Sequence, residues 1–183
     1  RHELPKDELL STILQNDIRN IESLAAQLTD ELLNDVVAAL DGARTVYALG
    51  MRTSFSLACY SAVCLGQILG NVRLVHTTGM ICPEELLSAG ESDVCLAFLF
   101  PRYARASVQI LQWMRTQNVR IILVTSANSS SVADLGDLVI QCPVTGVSLK
   151  NSYAAPLSVI NYLVAALVTR NRSRTSQMLS RAE

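Results

Sequence analysis

Two runs of consecutive apolar residues place the strongest constraint on how this chain can fold. One covers residues 94–100 and reads Val-Cys-Leu-Ala-Phe-Leu-Phe, and the other covers residues 121–124 and reads Ile-Ile-Leu-Val. Successive side chains of a strand point to opposite faces of a sheet, so a strand made of such a run is apolar on both faces. A strand of this kind is typical of a parallel sheet that helices cover on both sides.

Strand and helix patterns alternate from residue 45 onward and supply the helices that such a sheet needs. We predict strands at residues 45–50, 72–77, 93–100, 120–125 and 137–142, helices at 54–69, 104–117 and 153–169, and short helical pieces near 83–88 and 129–131. The predicted fold class is α/β, a three-layer α/β/α sandwich around a five-stranded parallel sheet. Of the strand orders that right-handed crossovers allow, the flavodoxin-like order 2-1-3-4-5 is a common one.

Two helices are predicted before the first strand. Residues 6–28 carry Leu and Ile at helical spacing, and Thr29 is typical of the N-cap of a second helix that ends near Gly42. Either both helices pack on the sheet, or the first is a linker or dimerisation arm that leads from a further domain. The chain begins with Arg rather than Met, and we expect a segment upstream of it.

Composition and charge exclude several classes of protein. The net charge of the 183 residues is −1, so no overall field attracts the chain to nucleic acid or to an acidic membrane. The five cysteines lie in or beside apolar runs, which favours reduced thiols in a cytoplasmic protein. No C-x-x-C pair or His/Cys cluster predicts a zinc site, and no cofactor is expected. The longest apolar run, residues 153–168, contains Pro156 and is shorter than the ~20 residues of a membrane span.

The turn after the first strand is the best candidate for a binding site. The sequence Gly-Met-Arg-Thr-Ser at residues 50–54 leads from a strand into a helix whose first N–H groups are free to face a ligand. In the order 2-1-3-4-5 the sheet opens between strands 1 and 3, which places this turn beside residues 101–105. Both segments contain arginine, and this predicts a site for a small anion.

Each arginine also has a structural interpretation. Arg52 is a ligand contact or an exposed surface residue, and Arg102 is a ligand contact or one partner of an ion pair. Arg105 is a cation in the first turn of a helix, where it opposes the helix dipole. It indicates an anion nearby, or it pairs with Glu84, Glu85 or Glu91.

The neighbouring polar residues leave similar alternatives open. Tyr103 stacks on a ligand ring or caps its own loop. Ser54 is an N-cap, a ligand contact, or both. Lys150 and Asn151 follow the last strand at the edge of the site, and the simpler interpretation is that they are ordinary loop residues.

Four segments carry a resemblance to a known family. They read Val-Tyr-Ala-Leu-Gly-Met-Arg-Thr-Ser at residues 46–54, Asp-Val-Cys-Leu-Ala-Phe at 93–98, Ile-Ile-Leu-Val-Thr-Ser at 121–126 and Ser-Ser-Ser-Val-Ala-Asp-Leu-Gly-Asp at 129–137. They resemble the sugar isomerase (SIS) domain, and more closely the C-terminal effector domain of RpiR/MurR-type bacterial transcriptional regulators. The resemblance implies a phosphosugar-binding domain in a homodimer or tetramer, with DNA bound through a helix-turn-helix domain that this chain lacks. The implied divisions are a linker or dimerisation helix at 1–28, an effector-binding domain at 29–175 and a tail at 176–183.

The resemblance also implies a set of ligand contacts. Hydroxyl groups that follow strands 1, 3 and 4 hold the phosphate in the family, and the matching residues after strands 1 and 4 are Thr53, Ser54, Ser126, Asn128 and Ser129. After strand 3 the family pattern Ser-x-Ser-Gly-x-Thr is absent, and residues 100–105 read Phe-Pro-Arg-Tyr-Ala-Arg instead. We therefore add Arg102, Tyr103 and Arg105 to the site, together with Arg52. Since a guanidinium fork fits a carboxylate as well as a phosphate, a sugar acid competes with a sugar phosphate as the effector.

A sugar-phosphate isomerase that interconverts aldose and ketose is the alternative function. That reaction needs a general base with a pKa near neutral. The candidates near the site are His76, Glu84, Glu85 and Glu91, and their spacing does not predict that any two converge. No catalytic residue is assigned on this basis.

Overall fold

The computed structural model describes residues 6–75, 86–126 and 130–171. Its centre is a five-stranded sheet in the order β2-β1-β3-β4-β5, in which every neighbouring pair is parallel. The strands are β1 (Val46–Gly50), β2 (Val72–Leu74), β3 (Val94–Leu99), β4 (Arg120–Thr125) and β5 (Leu138–Gln141). The predicted fold class and strand order are confirmed. Predicted strands 1, 3 and 5 extend beyond the observed ones by one residue at one or both ends, and the last residues predicted for strand 2 include His76, outside the described residues.

Helices cover both faces of the sheet, as the apolar runs require. Alternate residues of the central strands belong to two separate hydrophobic clusters, with Leu96 in one and Ala97 in the other. The first cluster contains residues of α2 (Asp30–Gly42), α3 (Phe55–Leu69) and α6 (Ala154–Arg170), and the second contains residues of α4 (Arg105–Thr116) and α5 (Ser130–Ala133). The central strands are therefore buried on both sides, which explains why polar residues are excluded from them.

The first helix, α1 (Lys6–Gln27), packs mainly against α6. Its exposed residues include Leu10, Leu14 and Ile18, whose side chains are 67%, 53% and 54% exposed. Two asparagines, Asn16 and Asn20, are buried instead. The apolar spacing predicted the helix correctly, but much of the apolar stripe faces away from the domain.

The predicted start of α2 is confirmed. The Thr29 hydroxyl accepts a hydrogen bond from the Leu32 N–H at 3.3 Å, as an N-cap does. The end of α3 is set by Gly70, whose φ of 74° is left-handed and lets its N–H bond to the carbonyl of Gly66.

An ion pair between the exposed Arg44 and the buried Asp93 fixes the amino end of the sheet. Asp93, whose side chain is 0% exposed, accepts hydrogen bonds from Arg44 Nε at 3.0 Å, from Arg44 Nη2 at 2.6 Å and from the Gly90 N–H at 2.9 Å. Burial of the carboxyl opposes its charge, but these hydrogen bonds outweigh burial and hold the pKa of Asp93 below its ordinary value. The pair joins the chain before β1 to the chain before β3.

The cysteines in the described residues are free thiols, namely Cys59, Cys64, Cys95 and Cys142. Burial raises the pKa of the Cys142 thiol to about 12 and raises that of Cys95 further. Both therefore behave as small core side chains and not as nucleophiles. The fifth, Cys82, lies outside the described residues.

Candidate anion-binding site

A small cavity lies where the sequence predicted a site, at the carboxyl ends of β1 and β3. Its volume is about 70 Å³, and three segments of chain line it. They are residues 51–54 after β1, residues 98–107 from the end of β3 into α4, and residues 150–153 before α6. This is the point at which the strand order reverses, where α/β sheets of this kind bind ligands.

The turn after β1 is held close to the strand because residue 50 is glycine. A Cβ atom at Gly50 would collide with the carbonyl group of Ser54, so only glycine allows the turn to fold back on the strand. Residues Arg52–Ser54 form a single turn of 3₁₀ helix before α3 begins. This tight turn brings the side chains of Arg52 and Thr53 to the mouth of the cavity.

Two arginines from different strand ends approach each other across the cavity. Arg52 Nη1 lies 3.4 Å from the carbonyl oxygen of Arg102, and Arg102 Nη2 lies 3.3 Å from the carbonyl oxygen of Leu149. Within the described ranges neither guanidinium pairs with a carboxylate, so the ion pair considered for Arg102 is not observed there. Among the described residues, both charges are met only by long hydrogen bonds to the backbone.

The backbone is strained at both arginines. Their φ angles are 58° for Arg52 and 67° for Arg102, in the left-handed region that L-residues rarely occupy. Such a conformation costs a non-glycine residue on the order of 1 kcal/mol, and it is found most often at functional sites. Backbone conformational preference therefore does not explain why arginine occupies either position.

Tyr153 joins the last segment to the turn after β1. Its hydroxyl lies 2.8 Å from Thr53 Oγ1 and 3.3 Å from Ser54 Oγ, and its ring packs on Phe100 with centroids 5.6 Å apart. Ser54 occupies the N-cap position of α3, as one of the predictions had it, but its side chain makes no capping bond and its Oγ lies near the Tyr153 hydroxyl instead. Tyr153 was not predicted as a site residue, because its sequence pattern indicates only the start of an apolar helix. Its position after the last strand, at the same edge of the sheet as Lys150, was the available signal.

Ser107, in the first turn of α4, was also missed. Its side chain is 1% exposed, it lines the cavity, and its Oγ has no hydrogen-bond partner within the part of the chain that the structure describes. The N-cap residue Ala104 has no side chain that could bond to the first N–H groups of the helix. A buried hydroxyl without a partner is costly unless a ligand satisfies it, so Ser107 marks a place for a hydrogen-bonding group.

Lys150 and Asn151, predicted to lie at the edge of the site, line the cavity. The loop that carries them folds back on itself at Gly146, where a Cβ atom would collide with the carbonyl oxygen of Lys150. Glycine at this position therefore lets the loop bring a lysine to the site.

Other predicted site residues lie outside the lining of the cavity. Tyr103 packs partly buried against the second hydrophobic cluster, and Arg105 is exposed at the first residue of α4. Ser126 is buried directly after β4. Contact of Tyr103, Arg105 and Ser126 with a ligand stays a prediction.

Some predicted residues cannot be placed. Those outside the described residues are Asn128, Ser129, His76, Glu84 and Glu85. Glu91 precedes β3 and lies at the amino end of the sheet, so placing it near the site was wrong.

The side chains around the cavity favour an anion. Arg52, Arg102 and Lys150 contribute positive charge, and none of the described lining residues is an acid or a histidine. Within residues 6–75, 86–126 and 130–171, no group of three or more His, Cys, Asp and Glu side chains is placed to hold a metal ion. In the same ranges no helix has the length and hydropathy that a membrane span requires.

A model of the SIS domain family matches residues 39–166. This chain belongs to the SIS domain family. The match includes the whole sheet and the segments around the cavity, so the family expected from the strand-end motifs is confirmed. No protein of curated function matches the sequence.

Several solved structures share this SIS fold over nearly the whole chain. The sugar isomerase domain of an RpiR transcription factor from Sphaerobacter thermophilus is 23% identical, with a TM-score of 0.90 over 96% of this chain and 98% of that one. The Vibrio vulnificus NanR protein in complex with ManNAc-6P is 14% identical, with a TM-score of 0.81 over 97% of this chain and 68% of that one. The Escherichia coli CFT073 protein c3406 in complex with A5P is 16% identical, with a TM-score of 0.79 over 98% of this chain and all of that one.

Proposed function

We propose that this SIS domain is the effector-binding part of a bacterial transcriptional regulator, and that its cavity binds a phosphosugar or another anionic sugar derivative. The observation that carries the proposal is the convergence of Arg52, Arg102 and Lys150 on a cavity whose described lining has no acid. Three such charges repel one another, and a bound anion would relieve that repulsion.

The donors around the cavity suit a phosphate or a carboxylate. A guanidinium presents parallel N–H groups that match either anion, and the Ser107 hydroxyl, which also lines the cavity, adds a further donor. Two of the solved structures with this fold hold sugar phosphates, ManNAc-6P in NanR and A5P in c3406. These likenesses support a sugar phosphate as the first class of ligand to test, with a sugar acid as the second.

The regulatory role rests on the likeness to RpiR and NanR proteins and on a physical connection to α1. Asn16 and Asn20 of α1 both donate to the carbonyl of Thr145, which lies in the loop that carries Lys150. A ligand that holds this loop would therefore favour one placement of α1, provided that it binds one arrangement of the domain more tightly than another. In this proposal α1 acts as a linker or dimerisation helix within a cytoplasmic homodimer or tetramer, and DNA is bound by a domain outside this chain.

Calorimetric titration with sugar phosphates and sugar acids tests the site. We expect Arg52→Ala and Arg102→Ala each to weaken binding about tenfold or more, because each removes a charged hydrogen-bond donor to the anion. Arg73→Ala is the matched control, since Arg73 is exposed on β2 and does not line the cavity. Unchanged affinity in both site variants would refute the site assignment.

The isomerase alternative has a separate test. A coupled assay over pentose and hexose phosphates would show turnover if the domain is an enzyme. Turnover that His76→Asn or Glu84→Gln abolishes would favour the enzyme over the sensor.

A further inference from the structure

A wide groove continues from the cavity along α1. Its volume is about 900 Å³, and it shares Lys150, Asn151 and Tyr153 with the cavity. One wall is α1, through Leu9, Ile13, Asn16 and Asp17, and the other consists of residues 146–157. The two spaces therefore adjoin each other at these three residues, and we call the cavity the inner part of the site and the groove the outer part.

The inner part is much smaller than the groove. Its volume is about 70 Å³ against about 900 Å³, and Arg52, Arg102 and Lys150 line it, so it suits the anionic end of a ligand better than the sugar body. The rest of such a ligand would lie beside the cavity, where two larger spaces share residues with it. One, of about 510 Å³, lies along the start of α3 at Phe55 and Ser56. The groove along α1 is the larger of the two, and its described lining includes an acid, Asp17.

The α1 wall of the groove is held in a fixed position. The side-chain amides of Asn16 and Asn20 donate to the Thr145 carbonyl oxygen at 2.6 Å and 2.8 Å, and both residues are buried. Between them on the helix lies Asp17, which accepts a hydrogen bond from Ser152 Oγ at 2.5 Å.

Asp17 gives the groove a charge opposite to that of the cavity. Asp17 is half-buried, and no other described residue that lines the groove is an acid. Within the described ranges it has no ion-pair partner. A carboxylate has about four lone-pair sites for hydrogen bonds, and the contact with Ser152 uses one of them. The remaining sites suit the hydroxyl groups of a sugar and repel a second anionic group.

We infer that the ligand is a sugar derivative with a single anionic end, which enters the cavity while its neutral, hydroxylated body lies in the groove against α1 and donates a hydroxyl hydrogen bond to Asp17. This inference rests on the proposed function, because it places the body of the ligand relative to the anion in the cavity. It makes Asp17 the residue that discriminates against sugars with a second anionic group.

Titration calorimetry with three matched probes tests the inference: inorganic phosphate, a hexose 6-phosphate and the corresponding hexose 1,6-bisphosphate. We expect the wild-type domain to prefer the monophosphate over the bisphosphate by about tenfold or more, as one close like-charge contact predicts. Asp17→Asn should reduce this preference to less than about threefold, and it should leave the affinity for inorganic phosphate unchanged. Asp17→Glu keeps the charge and should keep most of the preference.

A second variant tests the groove without removing the carboxylate. Ile13 is 38% exposed on α1, so Ile13→Trp should fold normally and fill part of the groove. We expect it to weaken binding of the monophosphate about tenfold and to leave inorganic phosphate unaffected. If the monophosphate binds equally well to the wild type, Asp17→Asn and Ile13→Trp, and phosphate still competes with it, the inference is overturned while the anion site stands. If neither phosphate nor either sugar phosphate binds the wild type, or Arg52→Ala binds all three unchanged, the proposed function fails as well.

Discussion

Arginines occupy both ends of the parallel sheet, but their surroundings differ at the two ends. At the amino end, Arg44 meets the buried carboxylate of Asp93 at 2.6 Å, and the charge of the pair is balanced. At the carboxyl end, the partners of Arg52 and Arg102 within the described part of the chain are backbone carbonyls, at 3.4 Å and 3.3 Å. The balanced end ties the fold together, whereas the unbalanced end retains positive charge that a ligand can neutralise.

The backbone shows the same contrast. Both arginines of the carboxyl end have a positive φ, and Arg44 does not. Conformational strain and unpaired charge thus occur together at the end where the sheet opens. The combination is typical of a binding site, whereas the paired and unstrained Arg44 at the amino end is typical of a structural contact.

The largest effect on stability is expected at the amino end. Asp93→Ala should lower the free energy of unfolding by about 2–3 kcal/mol, because it removes the acceptor of charged hydrogen bonds, while the affinity for anions at the other end should not change. Denaturant unfolding together with calorimetric titration measures both quantities. Glu91→Ala, which removes an exposed acid from the same turn, should leave both unchanged; a loss of anion affinity in Asp93→Ala would show that the two ends are coupled.

Low pH should lower the stability of the wild-type protein by less than Asp93→Ala does, since protonation removes the charge of Asp93 but not its oxygen atoms. The pKa of this carboxyl is lower in the folded protein than its ordinary value of 3.8. Its contribution to stability is therefore fully present above about pH 5 and is lost as the pH falls through the folded pKa. Stability measured against pH should fall less steeply below pH 4 in Asp93→Asn than in the wild type, and identical slopes would contradict the assignment.

Replacing the strained residues with glycine should separate strain from binding. Arg102→Gly is expected to raise the free energy of unfolding by about 0.5 kcal/mol, because relief of the left-handed φ exceeds the entropy that glycine adds to the unfolded chain. It should also reduce the affinity for anions. Asn118→Gly is the control, with a φ of 59° at a position outside the cavity. It should give a smaller gain in stability with unchanged affinity, and a loss of affinity in this control would mean that strain itself affects binding.

The smallest effect is expected for Ser107→Ala. Loss of one neutral hydroxyl should weaken anion binding about threefold to fivefold, and stability should not fall because the hydroxyl has no partner among the described residues. Ser61→Ala provides the opposite result, since the buried Ser61 hydroxyl donates to the Ala58 carbonyl at 2.9 Å. That variant should lose stability and keep its affinity. Equal behaviour of the two serines would contradict a ligand role for Ser107.

The sheet was predictable because its determinants are local. Consecutive apolar residues at 94–99 and 121–124 require burial on both faces, and this alone predicts a covered parallel sheet. The position of the cavity then follows from the strand order. Arg52 and Arg102 could be selected because they lie within three residues of the ends of β1 and β3.

The rest of the site depends on approaches between distant segments. Tyr153 reaches Thr53 across 100 residues of sequence, and nothing near Tyr153 indicates that contact. Ser107 resembles any polar residue of a helix until its burial against the cavity is known. In α1 the apolar spacing predicted a helix but not which of its faces is buried, because Asn16 and Asn20 bind a carbonyl that only the fold brings near.

The shared acceptor of these two asparagines has a mechanical consequence. If α1 moved away from the loop, both buried amides would lose the Thr145 carbonyl at the same moment, so the helix and the loop should open as one cooperative unit. Amide hydrogen exchange in α1 would then report on the opening of the loop. A molecule that binds residues 145–153 and stabilises their conformation should slow amide exchange along α1, without contacting that helix itself.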